Sequence, residues 1–216
     1  MIELDVQLTR DGVLAVVHDF DLARLAGTAL RPEDVQWSAL ENVRLHAAPG
    51  SEPESIPNLQ AVFDALPAAF PVNIELKRQR AAAARLARAA ASFADHPGSL
   101  FSSFDWDLLA ELKRLAPRAA LAPLAGDDTG IDPFLRAAER LSARALHVSL
   151  AFARQFLSSL SGTGLPVLCY TVNDFATASY LLDSGAFGVF SDRPGHLRRA
   201  LGLSPPQSIR MPCSSP

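Results

Sequence analysis

The chain has 216 residues, 49% hydrophobic and 20% charged, with a net charge of -3 and a pI near 5.9. That length can bury one sizeable core, and the mildly acidic balance gives no basic field that would gather nucleic acid or anionic lipid, so neither is expected as a partner. Two cysteines, Cys169 inside an apolar run and Cys213 near the end, suggest neither a disulfide framework nor a zinc site.

No stretch reaches the roughly 20 apolar residues of a membrane-spanning helix, and the start lacks a basic segment followed by an apolar one. No transmembrane segment and a cytoplasmic location are therefore expected of the chain as given.

In chain order, short apolar runs with strand character lie at 2–6, 13–17, 72–76, 99–104, 119–124, 145–150, 167–172 and 187–191. Most precede a helical pattern. Helices are predicted over 78–94, where strong helix formers dominate, and over 105–116, which opens on an acidic cap and ends before Pro117. Others are predicted over 132–143, 150–160, 174–185 and 194–202. Strand and helix alternating at this spacing means parallel strands with crossover helices. Six such units from residue 72 onward, with at least one more upstream, predict an α/β fold of the (β/α)8 TIM-barrel type.

The count is short by a unit, since eight units take about 250 residues and closure needs every strand. The first strand-helix unit is the one expected to be missing. Residues 24–57 have turn and loop composition and read as an excursion before the helix around NLQAVFDAL, with PEDVQWSALENV capping a short helix. One barrel domain is expected over residues 1–202, and a disordered Pro/Ser-rich tail over 203–216.

Side chains two apart on a strand share a face, so Glu3 and Asp5 project together while Ile2, Leu4 and Val6 face the other way. In VNIELK the same geometry groups Asn73, Glu75 and Lys77. If both polar faces point into one barrel, three carboxylates and a lysine converge, and burying them demands a cation; an all-oxygen set suits Mg2+ or Ca2+. The competing reading leaves Glu3 and Asp5 solvated at a frayed end, with Glu75 and Lys77 merely paired.

His18 ends the second strand, where barrel catalytic groups gather, and can move a proton near neutral pH. A lone histidine at a strand end is nonetheless more often structural. His46, His96, His147 and His196 are read as structural throughout. Tyr170 and Asn173 stand near the end of the 167–172 strand, a usual place for substrate-lining groups. Ser102, Ser103 and Phe104 close an earlier strand, where Ser103 or Asp105 serves to cap the next helix.

The ordered strings IELDVQLTRDGVLAVVHDFDL, SIPNLQAVFDAL, VNIELK, SLFSSFDWDLLAELKRLAP, VLCYTVND and GVFSDRPGHL resemble the glycerophosphodiester phosphodiesterase family, from Ile2 to about Leu201. The resemblance implies a (β/α)8 barrel with a segment inserted after the second strand, and metal-dependent cleavage of small-molecule glycerophosphodiesters to glycerol 3-phosphate and an alcohol. It implies metal ligation by Glu3, Asp5 and Glu75, a catalytic role for His18, and phosphate contact by Lys77. Tyr170 takes a position where the family often has tryptophan.

One departure stands out. The family normally begins with a strand ending in a His-Arg-Gly motif and a helix opened by Glu-Asn-Thr, carrying a second histidine and an arginine; IELDV here follows Met1 directly. Two alternatives to the phosphodiesterase reading therefore stay open: a phosphate-binding remnant without activity, and another phosphoric diester hydrolase on the same barrel. Head group, metal identity, oligomeric state and the choice between direct water attack and a cyclic phosphate are not fixed by these residues.

Overall fold

A computed structural model describes residues 1–47, 50–79 and 83–203. Eight strands form one sheet in the order β2-β1-β3-β4-β5-β6-β7-β8. The strands are β1 (Ile2–Leu8), β2 (Leu14–Val16), β3 (Val72–Leu76), β4 (Ser99–Ser103), β5 (Leu121–Ala125), β6 (Leu146–Ser149), β7 (Val167–Tyr170) and β8 (Gly188–Val189). β2 returns antiparallel along β1 as a hairpin; every other neighbouring pair is parallel. The expected TIM-type α/β alternation is thus present as seven parallel strands curled around a common interior, with the hairpin strand β2 added at one margin. Among the described residues no ladder joins β8 to β1 or β2.

The helices are α1 (Ala23–Ala26), α2 (Leu59–Ala65), α3 (Ala83–Ala91), α4 (Trp106–Leu115), α5 (Ile131–Leu141), α6 (Leu150–Ser161), α7 (Phe175–Asp183) and α8 (Pro194–Ala200). Several start where a short polar side chain satisfies an orphan N–H. Asn58 accepts from Ala61 N, Asp105 from Leu108 N, Ser149 from Phe152 N and Asp174 from Thr177 N. Asp105, rather than Ser103, caps α4; Ser103 Oγ instead donates to the Leu76 carbonyl across the β3–β4 ladder.

Even-numbered residues of β1 and β3 build the first core. Leu4, Val6, Leu8, Ile74 and Leu76 pack with Leu86 of α3 and Leu108, Leu109 and Leu112 of α4. A second core joins β5–β7 to α5–α8 through Phe134, Leu146, Val148, Phe152, Leu160 and Leu181. Inside the curl, Ala122, Ala145 and Leu168 meet Leu100 and Phe190. Small and branched apolar residues there leave room for a cavity above.

Two expectations need correction, and the excursion gains a core that its composition does not announce. The PEDVQWSALENV stretch forms two 3-10 turns, Pro32–Asp34 and Trp37–Ala39, instead of an α-helix. The excursion is not loose, because Leu22, Leu40 and Ile56 are buried with Ala15 and Val17 in a small core of their own, and the Asp11 carboxylate accepts from Trp37 N at 2.9 Å. The described part of the 78–94 helix is shorter, with Gln79 outside it serving β1, where its amide bonds both Leu8 N and Leu8 O. No described helix is long and apolar enough to cross a membrane. Of the tail expected over 203–216, residues 204–216, Cys213 among them, lie outside the described residues.

Candidate active site

β1 and β3 run parallel with Glu3 opposite Asn73 and Asp5 opposite Glu75. Strand alternation sends these four side chains inward, because the intervening leucines, isoleucine and valine are claimed by the helices. One carboxylate oxygen from each of Glu3, Asp5 and Glu75 lies within 4.8 Å of the others. Lys77 Nζ donates to Glu75 Oε1 at 3.0 Å and sits 3.3 Å from Asp5 Oδ1. The side chains of Asp5, Glu75 and Lys77 are 15%, 14% and 13% exposed, so these three are enclosed, whereas Glu3, one step nearer the chain start, is exposed at the cluster's open side; the Lys77–Glu75 pairing is also present.

Three carboxylates face a single ammonium, and their protonation reflects the excess. Burial first, then the charges of Asp5 and Glu75, push the Glu3 carboxyl up to about 8, against an opposing pull from Lys77. Burial likewise raises Glu75. Burial works against the charge on Lys77, yet Glu75 and Asp5 outweigh it and hold its ammonium more tightly than usual. An all-oxygen, over-negative cluster of this kind has the donor set that a hard divalent cation takes; the residues present fit such an ion.

These groups line a cavity of about 790 Å³, shared with His18, Phe104, His147 and Tyr170. His18 reaches it from the segment after β2. Its Nδ1 lies 2.9 Å from Asp19 Oδ1, while Asp19 Oδ2 accepts from Arg24 Nε at 2.7 Å. Arg24 and then His18 hold the Asp19 carboxyl down to about 2, so it is anionic throughout the working range and fixes the proton of His18 on Nδ1. Nε2 is the ring nitrogen that makes no bond to Asp19.

Neither Asp19's orienting role nor Arg24 was anticipated, although the adjacent His-Asp pair was the signal. Gln7 was also missed. Buried on β1, it donates through Nε2 toward the carbonyls of Val17, His18 and Asp19, the shortest contact being 2.7 Å to Asp19, which ties the His18 segment to the carboxylate strand. Gln7→Leu is expected to cost about 2 kcal/mol, since the buried Val17 carbonyl and the part-buried carbonyls of His18 and Asp19 lose their donor. Urea unfolding reads it.

Tyr170 lines the cavity, packs edge-on against Phe104 with centroids 6.2 Å apart, and donates its hydroxyl to the Ala125 carbonyl at 2.7 Å. Burial foremost, with the charges of Glu75 and Asp127 behind it, raises its pKa, so it stays neutral. Asn173 is not in the cavity wall. Its amide clamps the β7 and β8 ends, taking Ser191 Oγ and Asp192 N and giving to Asp192 Oδ2.

His147, read from sequence as structural, is fully buried and also borders the cavity. Burial lowers its pKa from 6.5 to about 4. The unfolded chain then binds a proton that the folded chain refuses, so stability is lost as pH falls through that window. Acidification from pH 6.5 to 4 is expected to cost about 3 kcal/mol through this residue. Denaturant titrations of the wild type and His147→Phe across the window check it, the variant losing that share of the slope.

The curled parallel sheet, the outer helices and the acidic cluster at the carboxyl ends of the first strands define a TIM-type barrel protein with an enzyme-like site. A model of the glycerophosphoryl diester phosphodiesterase family matches residues 1–196. The chain belongs to that family. A glycerophosphodiester phosphodiesterase of Bacillus altitudinis is 30% identical over 207 residues, covering 89% of this chain and 82% of the relative. The crystal structure of a glycerophosphodiester phosphodiesterase from Thermotoga maritima matches with a TM-score of 0.70 at 28% identity, covering 88% of this chain and 80% of that one. An Oleispira antarctica phosphodiesterase, solved in complex with the product sn-glycerol-3-phosphate, shares the fold with a TM-score of 0.79 at 24% identity over 93% of this chain and 84% of that one.

Proposed function

We propose that the protein hydrolyses glycerophosphodiesters to sn-glycerol 3-phosphate and an alcohol, with Glu3, Asp5 and Glu75 holding a divalent cation, Mg2+ or Ca2+. The observation that carries this reading is the meeting of three carboxylate oxygens within 4.8 Å, in one cavity with Lys77 and an oriented His18. When bound, such a cation supplies positive charge to a nonbridging phosphate oxygen. Lys77 adds to that charge on the side where Glu75 and Asp5 hold it. His18, protonated on Nε2 and held by Asp19, gives its proton to the departing alkoxide. Tyr170 and Phe104 shape the apolar wall beside the phosphate.

The test is turnover of glycerophosphoethanolamine by the folded protein with Mg2+ or Ca2+, and its loss with chelator. Absence of turnover under both cations, with folding intact, overturns the catalytic reading. A binding role is favoured by one observation: among the described residues the cavity wall carries two histidines, and His147 is fully buried, so no second exposed imidazole stands beside His18 to act as a base. Cation-dependent binding of sn-glycerol 3-phosphate without turnover is the result that establishes it.

A further inference from the structure

Two aromatic rings and a tight turn meet at the cavity, and the chemistry above uses them only as a wall. Phe104 follows β4 directly and Tyr170 ends β7; both border the cavity. Their ring planes stand at 88° with centroids 6.2 Å apart. Tyr170 is pinned by its hydroxyl on the Ala125 carbonyl at 2.7 Å. Phe104 is 52% exposed, and a large ring left that open beside a cavity offers apolar area that a ligand can cover.

The chain leaving β5 lies against the same corner. A Cβ built at Gly126 would stand 3.6 Å from Phe104 Cε1, so this backbone is at contact distance from the ring. Gly126 N donates to Thr129 Oγ1 at 2.9 Å, and Thr129 N donates to Gly126 O at 3.2 Å. The closed turn carries Asp127 and Asp128 at its tip. Both are exposed, and neither has an ion-pair partner among the described residues. The charge of Asp127 reaches the Tyr170 hydroxyl and helps to hold its proton, which puts that carboxylate beside the corner.

Cations are scarce there. Among the described residues Lys77 is the one lysine or arginine on the cavity wall, and Glu75 and Asp5 hold it. Arg78, in the groove that shares Phe104 with the cavity, is paired with Asp105 at 3.5 Å. Three carboxylates less the Lys77 ammonium leave an excess that one divalent cation neutralises, so the charge felt at the corner is set by Asp127 and Asp128. A ring face attracts a positive nitrogen, and a carboxylate nearby adds to the attraction. An anionic group is repelled by both. A neutral alcohol gains burial alone.

Resting on the phosphodiesterase reading, we propose that Phe104, Tyr170 and Asp127 form a subsite for a positively charged leaving alcohol, one carrying an ammonium or quaternary nitrogen a short carbon link from the phosphate. The corner ranks diesters that share a glycerol phosphate and differ in the alcohol, with cationic head groups first, neutral ones second and anionic ones last.

Phosphocholine and 3,3-dimethylbutyl phosphate test it, having the same phosphate and the same branched end, built on nitrogen in one and on carbon in the other. Both are monoesters, so calorimetry in Mg2+ reads binding without diester cleavage; about 0.15 M salt screens distant charges. The wild type is expected to bind phosphocholine at least about fivefold tighter. Phe104→Leu keeps apolar bulk and loses the ring face, and should lower that ratio at least about threefold. Asp127→Asn should lower it at least about twofold. Both positions are exposed, so neither substitution opens a cavity in the core. Asp64→Asn, on α2 packed against β2 at the sheet's margin, should leave the ratio unchanged. A ratio near one in the wild type, an unchanged ratio in Phe104→Leu or Asp127→Asn, or an equal fall in Asp64→Asn overturns the subsite. Glycerophosphocholine turnover is followed in parallel. Turnover with a ratio of one removes the subsite and leaves the activity standing; a high ratio without turnover removes the activity and leaves the subsite; no binding and no turnover removes both.

Discussion

Glu3→Gln and Glu75→Gln are each expected to lower kcat/KM for a glycerophosphodiester by about 10³, roughly 4 kcal/mol of transition-state stabilisation. The two should diverge in stability without added cation. Glu3 has no ion-pair partner among the described residues, and its carboxyl is pushed up to about 8 by burial and by Asp5 and Glu75. A carboxyl that holds its proton more tightly in the folded chain than in the unfolded chain stabilises below its ordinary pKa of 4.5 and loses that contribution as pH rises through 8. Glu3→Gln should therefore raise metal-free stability at pH 8.5 by about 1 kcal/mol, after allowance for solvent screening on its open flank. Glu75→Gln should bring no such gain, because it also removes the negative charge that Lys77 pairs with at 3.0 Å. Thermal melts with chelator and with Mg2+ separate these outcomes. A Glu3→Gln variant of unchanged activity would sink the ligand assignment.

The strand pattern explains why this cluster stood out in the sequence. Alternation in IELDV and VNIEL marks polar residues at odd positions where a parallel barrel strand, buried on both faces, ought to read as nearly continuous apolar sequence. Polar side chains that interrupt such a strand on one face only are accounted for by the barrel interior. Extended past these two strings, by one step in IELDV and two in VNIEL, the same alternation contains Gln7 and Gln79, whose amides turn out to hold the His18 segment and the end of β1. Those two were legible in principle.

His147 was not. The inward positions around it, Ala145, Leu124 and Leu168, are as apolar as the helix-facing ones, so period alone cannot say which wall it joins. The small core of the excursion escaped for a different reason. Leu22, Leu40 and Ile56 are separated by turn-forming residues with no period, and they meet only because the hairpin and the Asp11–Trp37 bond fold that segment back on β2. Turn composition reports that the chain bends, not that the bends share a core.

His18→Ala is expected to reduce turnover by about 10²–10⁴, the range for losing one positioned acid/base group. The loss should depend on the leaving group. With an alkoxide such as ethanolamine's, departure needs a proton, and the full deficit appears; with 4-nitrophenolate, which leaves unprotonated, the deficit should shrink to about tenfold or less. A merely structural His18 would cost both substrates equally, and equal losses would refute the acid role. Asp19→Asn supplies the complementary reading. The carboxylate, held down to about 2 chiefly by Arg24, is what keeps the proton on Nδ1 and the ring in place, so its amide should lower kcat with little change in KM and weaken the leaving-group dependence. Arg24, 70% exposed and bound to the far oxygen of Asp19, touches nothing in the cavity. Its replacement should lower kcat by a smaller factor than Asp19→Asn while the leaving-group dependence persists, which places the orienting effect along the line from Arg24 through Asp19 to His18.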